Sequence, residues 1–118
     1  MPREWKARLE DIIESIGKIE SYLEGMDFDS FAGDDRTVDA VIRHFGIIGE
    51  AALHLPEEIR AANPGLPWRQ MRGLRNLVIH EYFGISKEIL WETACHDLPP
   101  LVSALHQILL FPKGPTPP

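Results

Sequence analysis

Residues 38–52, VDAVIRHFGIIGEAA, form the stretch that decides the fold. The apolar side chains of this stretch fall on more than one face of a helix, whereas a surface helix usually buries a single stripe. The stretch also holds Gly46 and Gly49, and a glycine inside a helix costs about 1 kcal/mol relative to alanine. Close approach of a second helix is one way of recovering that cost. The stretch therefore predicts a helix at the centre of a bundle or at a contact between subunits.

The segments on either side have the pattern of helices with one buried stripe. Apolar residues that recur every three or four positions predict a helix from about Arg3 to Glu24, with Gly25 as its stop. After a turn at residues 63–67, a helix begins at Trp68 and a further one is capped by Ser86. No strand pattern is present, so the sequence predicts an all-α fold, an antiparallel bundle of four to five helices.

The connecting segments carry their own signals. Residues 27–35 are interpreted as an acidic loop whose last two aspartates can cap the central helix. Pro56 favours the first turn of a short helical continuation. The pair Pro99-Pro100 interrupts the helix that follows Ser86, and the apolar spacing then resumes. The stripe predicted before this interruption consists of Ile89, Leu90, Trp91, Ala94 and Leu98.

Length and composition limit the class of protein. The 118 residues suffice for one helical domain, predicted at 1–111, followed by a disordered proline-rich tail at 112–118. No apolar run reaches the ~20 residues of a membrane helix, and the first residues lack the apolar core of a signal peptide. We therefore expect a soluble, cytoplasmic protein with no membrane partner. Cys95 is the single cysteine, so no intrachain disulfide can form.

The charge is distributed unevenly along the chain. The net charge of -6 argues against nucleic-acid binding by the whole surface, because phosphate contacts require clustered bases. From Ile59 to His80, however, there are four arginines and no acid. This segment is either a local site for an anion or a solvated helix face. If it binds RNA, Arg69 and Arg72 are candidates for the contacts.

A second stretch, Arg75-Asn76-Leu77-Val78-Ile79-His80-Glu81-Tyr82, concentrates the polar chemistry. It supplies a permanent cation, a group that titrates near neutral pH and a phenol. On an ideal helix, Arg75 and Tyr82 would share a face, whereas His80 would lie about 140° away from Arg75. Arg75 and His80 can therefore meet only if the helix ends near His80, or if a twofold-related subunit supplies the partner.

Two arginines and two histidines brought together in this way suit metal-free cleavage of RNA. One imidazole can take the proton of a ribose 2'-hydroxyl while another protonates the leaving oxygen. Arg75 would hold the phosphate, Asn76 could orient the imidazole or the phosphate, and Tyr82 could stack on a base.

Two other interpretations remain open from the residues alone. In the structural one, Arg75 pairs with an acid such as Glu81, His80 lies at the core boundary and Tyr82 packs. In the second of these, histidines and Cys95 bind a metal ion. Paired ligand spacing is lacking for such a site, and we interpret His44 and His54 as surface or boundary residues, not ligands.

Four runs resemble the HepT-like ribonuclease family of the HEPN superfamily. They are LPWRQMRGLRN at 66–76, IHEYFGI at 79–85, ILWET at 89–93 and DLPPL at 97–101. The family signature R-x-x-x-x-H-x-Y is matched by Arg75, His80 and Tyr82 without a gap. Residues 47–51, IIGEA, also resemble the second helix of the family. The resemblance extends from Ile12 to about Leu109.

The resemblance implies an all-helical homodimer that acts as a metal-independent RNA endonuclease toxin without a cofactor. It implies a composite active site at the dimer interface, with Arg75 and His80 as catalytic residues and Asn76 in support. It also implies a partner antitoxin, a minimal nucleotidyltransferase that binds the toxin and can transfer AMP onto Tyr82. The alternative is a non-catalytic helical partner that binds nucleotide or docks such a nucleotidyltransferase.

Overall fold

The computed structural model describes residues 3–79 and 86–112, and all regular structure within these ranges is helical. The predicted all-α fold is therefore confirmed. Each helix in these ranges is too short or too polar to span a lipid bilayer. His80, Tyr82 and residues 113–118 of the predicted tail lie outside the described residues. The α-helices of the described ranges are α1 (Arg3–Leu23), α2 (Phe28–Ala32), α3 (Asp35–Leu53), α4 (Glu57–Ala62), α5 (Trp68–Ile79), α6 (Lys87–Glu92) and α7 (Val102–Leu110).

The first helix, α1, has nearly the bounds that the apolar spacing predicts. One face of α1 is fully buried, which is why an amphipathic sequence of this period is stable as a helix in the folded chain. Gly25 follows with a φ of 78°, a left-handed conformation that glycine adopts without steric cost and that ends the helix. The buried face consists of Leu9, Ile12, Ile16 and Ile19.

The acidic segment after α1 is not only a loop, and in this respect the prediction was wrong. It contains α2, whose start is stabilised by a reciprocal capping box: Ser30 N donates to Asp27 Oδ1 at 2.8 Å, and Asp27 N donates to Ser30 Oγ at 3.0 Å. Phe31 of α2 is fully buried, with its ring centroid 5.3 Å from that of Trp91. The predicted cap of the central helix is confirmed at Asp34, whose Oδ1 accepts from Thr37 N at 3.1 Å.

The central helix, α3, packs against α1 on one side and against α5 on the other. The backbone of α5 approaches α3 closely at Gly49. A Cβ atom added there would lie 2.6 Å from the backbone nitrogen of Arg75 and 3.0 Å from its Cγ. The prediction of a close helix–helix approach at a glycine of this stretch is thus confirmed at Gly49.

His44 of α3 is buried, and the prediction that it lies at the surface or boundary was wrong. Its side chain faces α1, where Nδ1 lies 3.0 Å from Ser15 Oγ and Nε2 lies 3.4 Å from the hydroxyl of Tyr22. These contacts satisfy a polar ring inside the core. Burial lowers the pKa of His44, Lys18 and Arg43 lower it further, and Glu14 raises it.

The turn between α4 and α5 is held by side-chain hydrogen bonds. Trp68 Nε1 donates to the carbonyl of Asn63 at 2.9 Å, and Asn63 Nδ2 donates to the carbonyl of Ile59 at 2.8 Å. The predicted start of the helix at Trp68 is confirmed. Since Met71 and Leu74 are buried, the orientation of α5 leaves Arg75 and the neighbouring polar residues outside the core.

The C-terminal helices differ in one detail from the predicted stripe. Ser86 caps α6 as predicted, with its Oγ accepting from Ile89 N at 3.3 Å. Ile89 itself is 52% exposed, because the buried line of this segment runs through Leu90, Ala94 and Leu98. A π-helical turn at Thr93–Asp97 and a 3-10 turn at Pro99–Leu101 separate α6 from α7.

The contact at Gly49 predicts the effect of adding one methyl group. Gly49→Ala should destabilise the protein by about 1–3 kcal/mol, because the helices must move apart, and this should exceed the gain of about 1 kcal/mol in helix propensity. Gly17→Ala is the matched control, since a Cβ at Gly17 of α1 meets nothing within 4 Å, and it should be neutral or stabilising. Urea denaturation measures both, and equal or greater stability of Gly49→Ala would contradict the close approach.

Burial of His44 predicts a pH dependence of stability. Below its ordinary pKa of 6.5, the unfolded chain takes up a proton that the folded chain resists. The free energy of unfolding should therefore be highest above pH 6.5 and fall as the pH decreases below that value.

The dependence can be isolated by comparing variants from pH 5 to 8 in urea. His44→Gln should lose this component, whereas the exposed His106→Gln on α7 should keep it. Parallel pH curves for the wild type and His44→Gln would show that His44 does not titrate differently in the two states.

Candidate active site

The predicted site residues on α5 lie mostly on its solvent side. Arg69, Arg75 and Asn76 are exposed, whereas Arg72 is half-buried. Arg75 and Asn76 occupy the third turn of α5, close to the end of the described helix at Ile79. His80 and Tyr82, the other two residues of the motif, lie outside the described residues, so their predicted positions relative to Arg75 stay predictions.

The guanidinium of Arg75 forms an ion pair with Glu50 of α3. Arg75 Nε lies 2.9 Å from Glu50 Oε2, and the two side chains are 48% and 45% exposed. A guanidinium has five N–H donors, of which Nε carries one. The two terminal nitrogens form another edge of the guanidinium, and an edge of this kind can contact an anion in a bidentate manner.

The carboxylate of Glu50 has a second neighbour just after the end of α3. Its Oε1 lies 3.5 Å from Nδ1 of His54, the residue that follows the helix. The same nitrogen lies 2.9 Å from the backbone carbonyl of Glu50. His54 is exposed as predicted, and the Glu50 carboxylate thus lies between the imidazole that follows α3 and the guanidinium on α5.

Glu50 is a residue that the sequence reasoning did not assign to the site. The local acid Glu81 was the expected partner of Arg75, and Glu81 lies outside the described residues. The sequence around Glu50 does contain a signal. Glu50 is the single acid among the small and apolar residues from Phe45 to Leu53, and it directly follows Gly49, where α5 approaches closely.

Two of the arginines between Ile59 and Ile79, one on α4 and one on α5, have a buried nitrogen. The Nε atoms of Arg60 and Arg72 are buried without a hydrogen-bond partner among the described residues. An unpaired N–H of a guanidinium is costly to bury unless an acceptor reaches it. Arg72 precedes Arg75 by three residues on α5, and its Nε is buried and does not face solvent.

The site is an open surface. Beside Glu50, between α3 and α1, lies a hollow of about 380 Å³ that Arg43, Gly46 and Ile47 help to line. Half-exposed charged groups next to an open hollow suit a polymer that lies across the surface more than a small molecule that must be enclosed.

The histidines of the described ranges do not converge. His44 contacts Ser15 and Tyr22, His54 contacts Glu50, and His96 lies 3.6 Å from Glu92. In the part of the chain that the structure describes, no three His, Cys, Asp or Glu side chains lie together as a metal site requires.

Comparison with protein families matches most of the chain. The sequence model of the family described as "Ribonuclease HepT-like" matches residues 12–108. No solved structure matches significantly.

Curated relatives match over nearly their whole lengths. The "Probable ribonuclease HepT" of Thermococcus cleftensis is 42% identical over 101 residues, which cover 86% of this chain and 92% of the relative. A protein of Methanocaldococcus jannaschii that is named "Putative RNase" is 38% identical over 109 residues, covering 92% and 90%. A protein of Caldanaerobacter subterraneus with the same name is 36% identical over 101 residues, covering 86% and 90%.

Proposed function

The chain belongs to the ribonuclease HepT-like family, and from this membership and the geometry around Arg75 we propose that it is a metal-independent RNA endonuclease. The observation that supports the proposal most is the Arg75 guanidinium. It is half-exposed on α5 and has a carboxylate at its Nε edge. Such a group is suited to a phosphate that approaches from solvent.

In the proposed reaction, RNA itself supplies the nucleophile. His80 takes the proton of a ribose 2'-hydroxyl, and the 2'-oxygen attacks the adjacent phosphorus. The bond from phosphorus to the 5'-oxygen breaks, leaving a 2',3'-cyclic phosphate on one fragment. A second His80, in its protonated form, donates a proton to the 5'-oxygen of the other fragment.

Arg75 has an electrostatic role in this reaction. Negative charge accumulates on the non-bridging phosphate oxygens as the new bond forms, and a guanidinium placed there stabilises it. Asn76, adjacent and exposed, would orient the phosphate or the imidazole. Arg69 and Arg72 would contact neighbouring phosphates, since their segment from Ile59 to Ile79 contains no acid.

The reaction as proposed uses His80 twice, so it requires two copies of the chain. We propose a homodimer in which the site is composite, so that each subunit contributes Arg75 and His80 to a shared region around the twofold axis.

Regulation would act through Tyr82. In a toxin–antitoxin pair, a minimal nucleotidyltransferase would bind this chain and transfer AMP from ATP to the phenolic oxygen, releasing pyrophosphate. The attached nucleotide adds bulk and negative charge close to Arg75 in sequence, and so would compete with the RNA phosphate.

The nuclease proposal predicts that Arg75→Ala loses about 100- to 1,000-fold in cleavage rate, as expected for removal of one group that stabilises the transition-state charge. RNA cleavage is measured in EDTA, and the fold is checked by circular dichroism, which should be unchanged because Arg75 is half-exposed. Arg36→Ala, at an exposed position in the first turn of α3, is the matched control and should cleave like the wild type. Full activity of a folded Arg75→Ala protein would remove Arg75 from the mechanism.

The regulatory proposal predicts a covalent change in co-expressed protein. After expression together with the cognate nucleotidyltransferase, the intact mass should rise by whole AMP units that map to Tyr82, and Tyr82→Phe should stay unmodified. RNA cleavage by the modified protein should be lost. No added mass, together with no cleavage by the unmodified chain, would favour the alternative of a non-catalytic helical partner.

A further inference from the structure

We propose that Glu50 is a positioning residue, which together with Gly49 holds the guanidinium of Arg75 so that its terminal nitrogens face the RNA phosphate. This inference rests on the proposed ribonuclease function. It adds a residue from a different helix, 25 positions before Arg75 in the sequence.

Consecutive residues of α3 contact both ends of the Arg75 side chain. At the stem, the missing side chain of Gly49 leaves space for the backbone nitrogen and Cγ of Arg75, which a Cβ would meet at 2.6 and 3.0 Å. At the head, Glu50 Oε2 lies 2.9 Å from Nε. Fixing a flexible side chain at two points defines the direction of its free end.

The second oxygen of the Glu50 carboxylate faces His54, the residue directly after α3. Glu50 Oε1 lies 3.5 Å from His54 Nδ1, and the same nitrogen lies closer, at 2.9 Å, to the backbone carbonyl of Glu50. Glu50 therefore bridges α3 to α5, with one oxygen toward each neighbour.

Stability does not account for the pair. Both side chains are about half-exposed, and ion pairs in such positions contribute little to folding because water screens them. An arginine that is oriented before RNA binds, however, need not be ordered during the reaction. The benefit of the contact should therefore be found in turnover.

Removal of the Glu50 carboxylate distinguishes two possible roles, which are positioning Arg75 and neutralising its charge. A carboxylate beside Arg75 repels the RNA phosphate, so its removal should leave KM unchanged or lower it. If Glu50 only neutralises Arg75, turnover is kept or increased when Glu50 is removed. If Glu50 positions Arg75, kcat falls although binding does not weaken.

The kinetic experiment compares the full-length wild type with Glu50→Ala and Glu50→Gln. We expect kcat to fall about 10- to 100-fold in Glu50→Ala, the order of loss caused by a misplaced catalytic group. Glu50→Gln should lie between, because it keeps the size of the side chain and an oxygen beside the guanidinium but removes the negative charge. Glu14→Gln is the matched control, since Glu14 is an exposed acid paired with Lys18 at 3.5 Å on α1, and it should cleave like the wild type. An unchanged kcat in folded Glu50→Ala would overturn the positioning role while the proposed function stands.

A second readout does not depend on cleavage. The Nε–Hε signal of Arg75 in ¹⁵N NMR spectra, assigned by its absence in Arg75→Lys, should show faster proton exchange with water in Glu50→Ala than in the wild type. If the wild type cleaves no RNA, the proposed function fails, and this signal alone decides whether Glu50 orients Arg75. A signal that is identical in the wild type and Glu50→Ala would overturn the inference.

Discussion

The close approach of α5 to α3 at Gly49 is the contact on which the rest of the structure depends. With no side chain at position 49, the backbone nitrogen of Arg75 lies 2.6 Å from the place that a Cβ would occupy, which is too close for a Cβ. The same approach brings the Arg75 head to the carboxylate of Glu50. The separation of α3 and α5 therefore sets both the packing of the core and the length of the Arg75–Glu50 ion pair. If the two helices were further apart, the ion pair would be longer and the core would be less tightly packed.

The side of α3 that faces α1 contains a buried polar contact. There His44 is buried against α1 and hydrogen-bonded to Ser15. Burial lowers its pKa, so the ring is neutral in the folded chain at neutral pH and its cost is offset by the hydrogen bond. Because a hydrogen bond is directional, this contact is made in one alignment of α1 and α3, whereas purely apolar faces tolerate small shifts. The central helix is therefore constrained by a polar contact on one side and a steric one on the other.

The candidate site shows how local and distant information combine. Arg75 and Asn76 could be selected from the sequence because an unusual set of polar residues stands within one short stretch. Glu50 could not be selected in this way, because it lies near Arg75 only when α3 and α5 pack together at Gly49. From the sequence alone, the acid expected to pair with Arg75 was Glu81, which is close to it in the chain. Residue types near the motif indicate the chemistry, but the partner that orients a catalytic group can come from any helix that reaches it.

By itself the sequence determined the helical class, most helix boundaries and the family. Apolar periodicity, capping residues such as Asp34 and Ser86, and the stop at Gly25 act over a few residues, so they can be read without knowing the fold. Tertiary structure decided which face of each helix is buried where the pattern is ambiguous, as with His44 inside and Ile89 outside. It also decided that α2 forms around Phe31 and that Glu50 meets Arg75. These outcomes depend on how far apart the helices pack and how each is rotated, and both are set by the sum of contacts across the whole core.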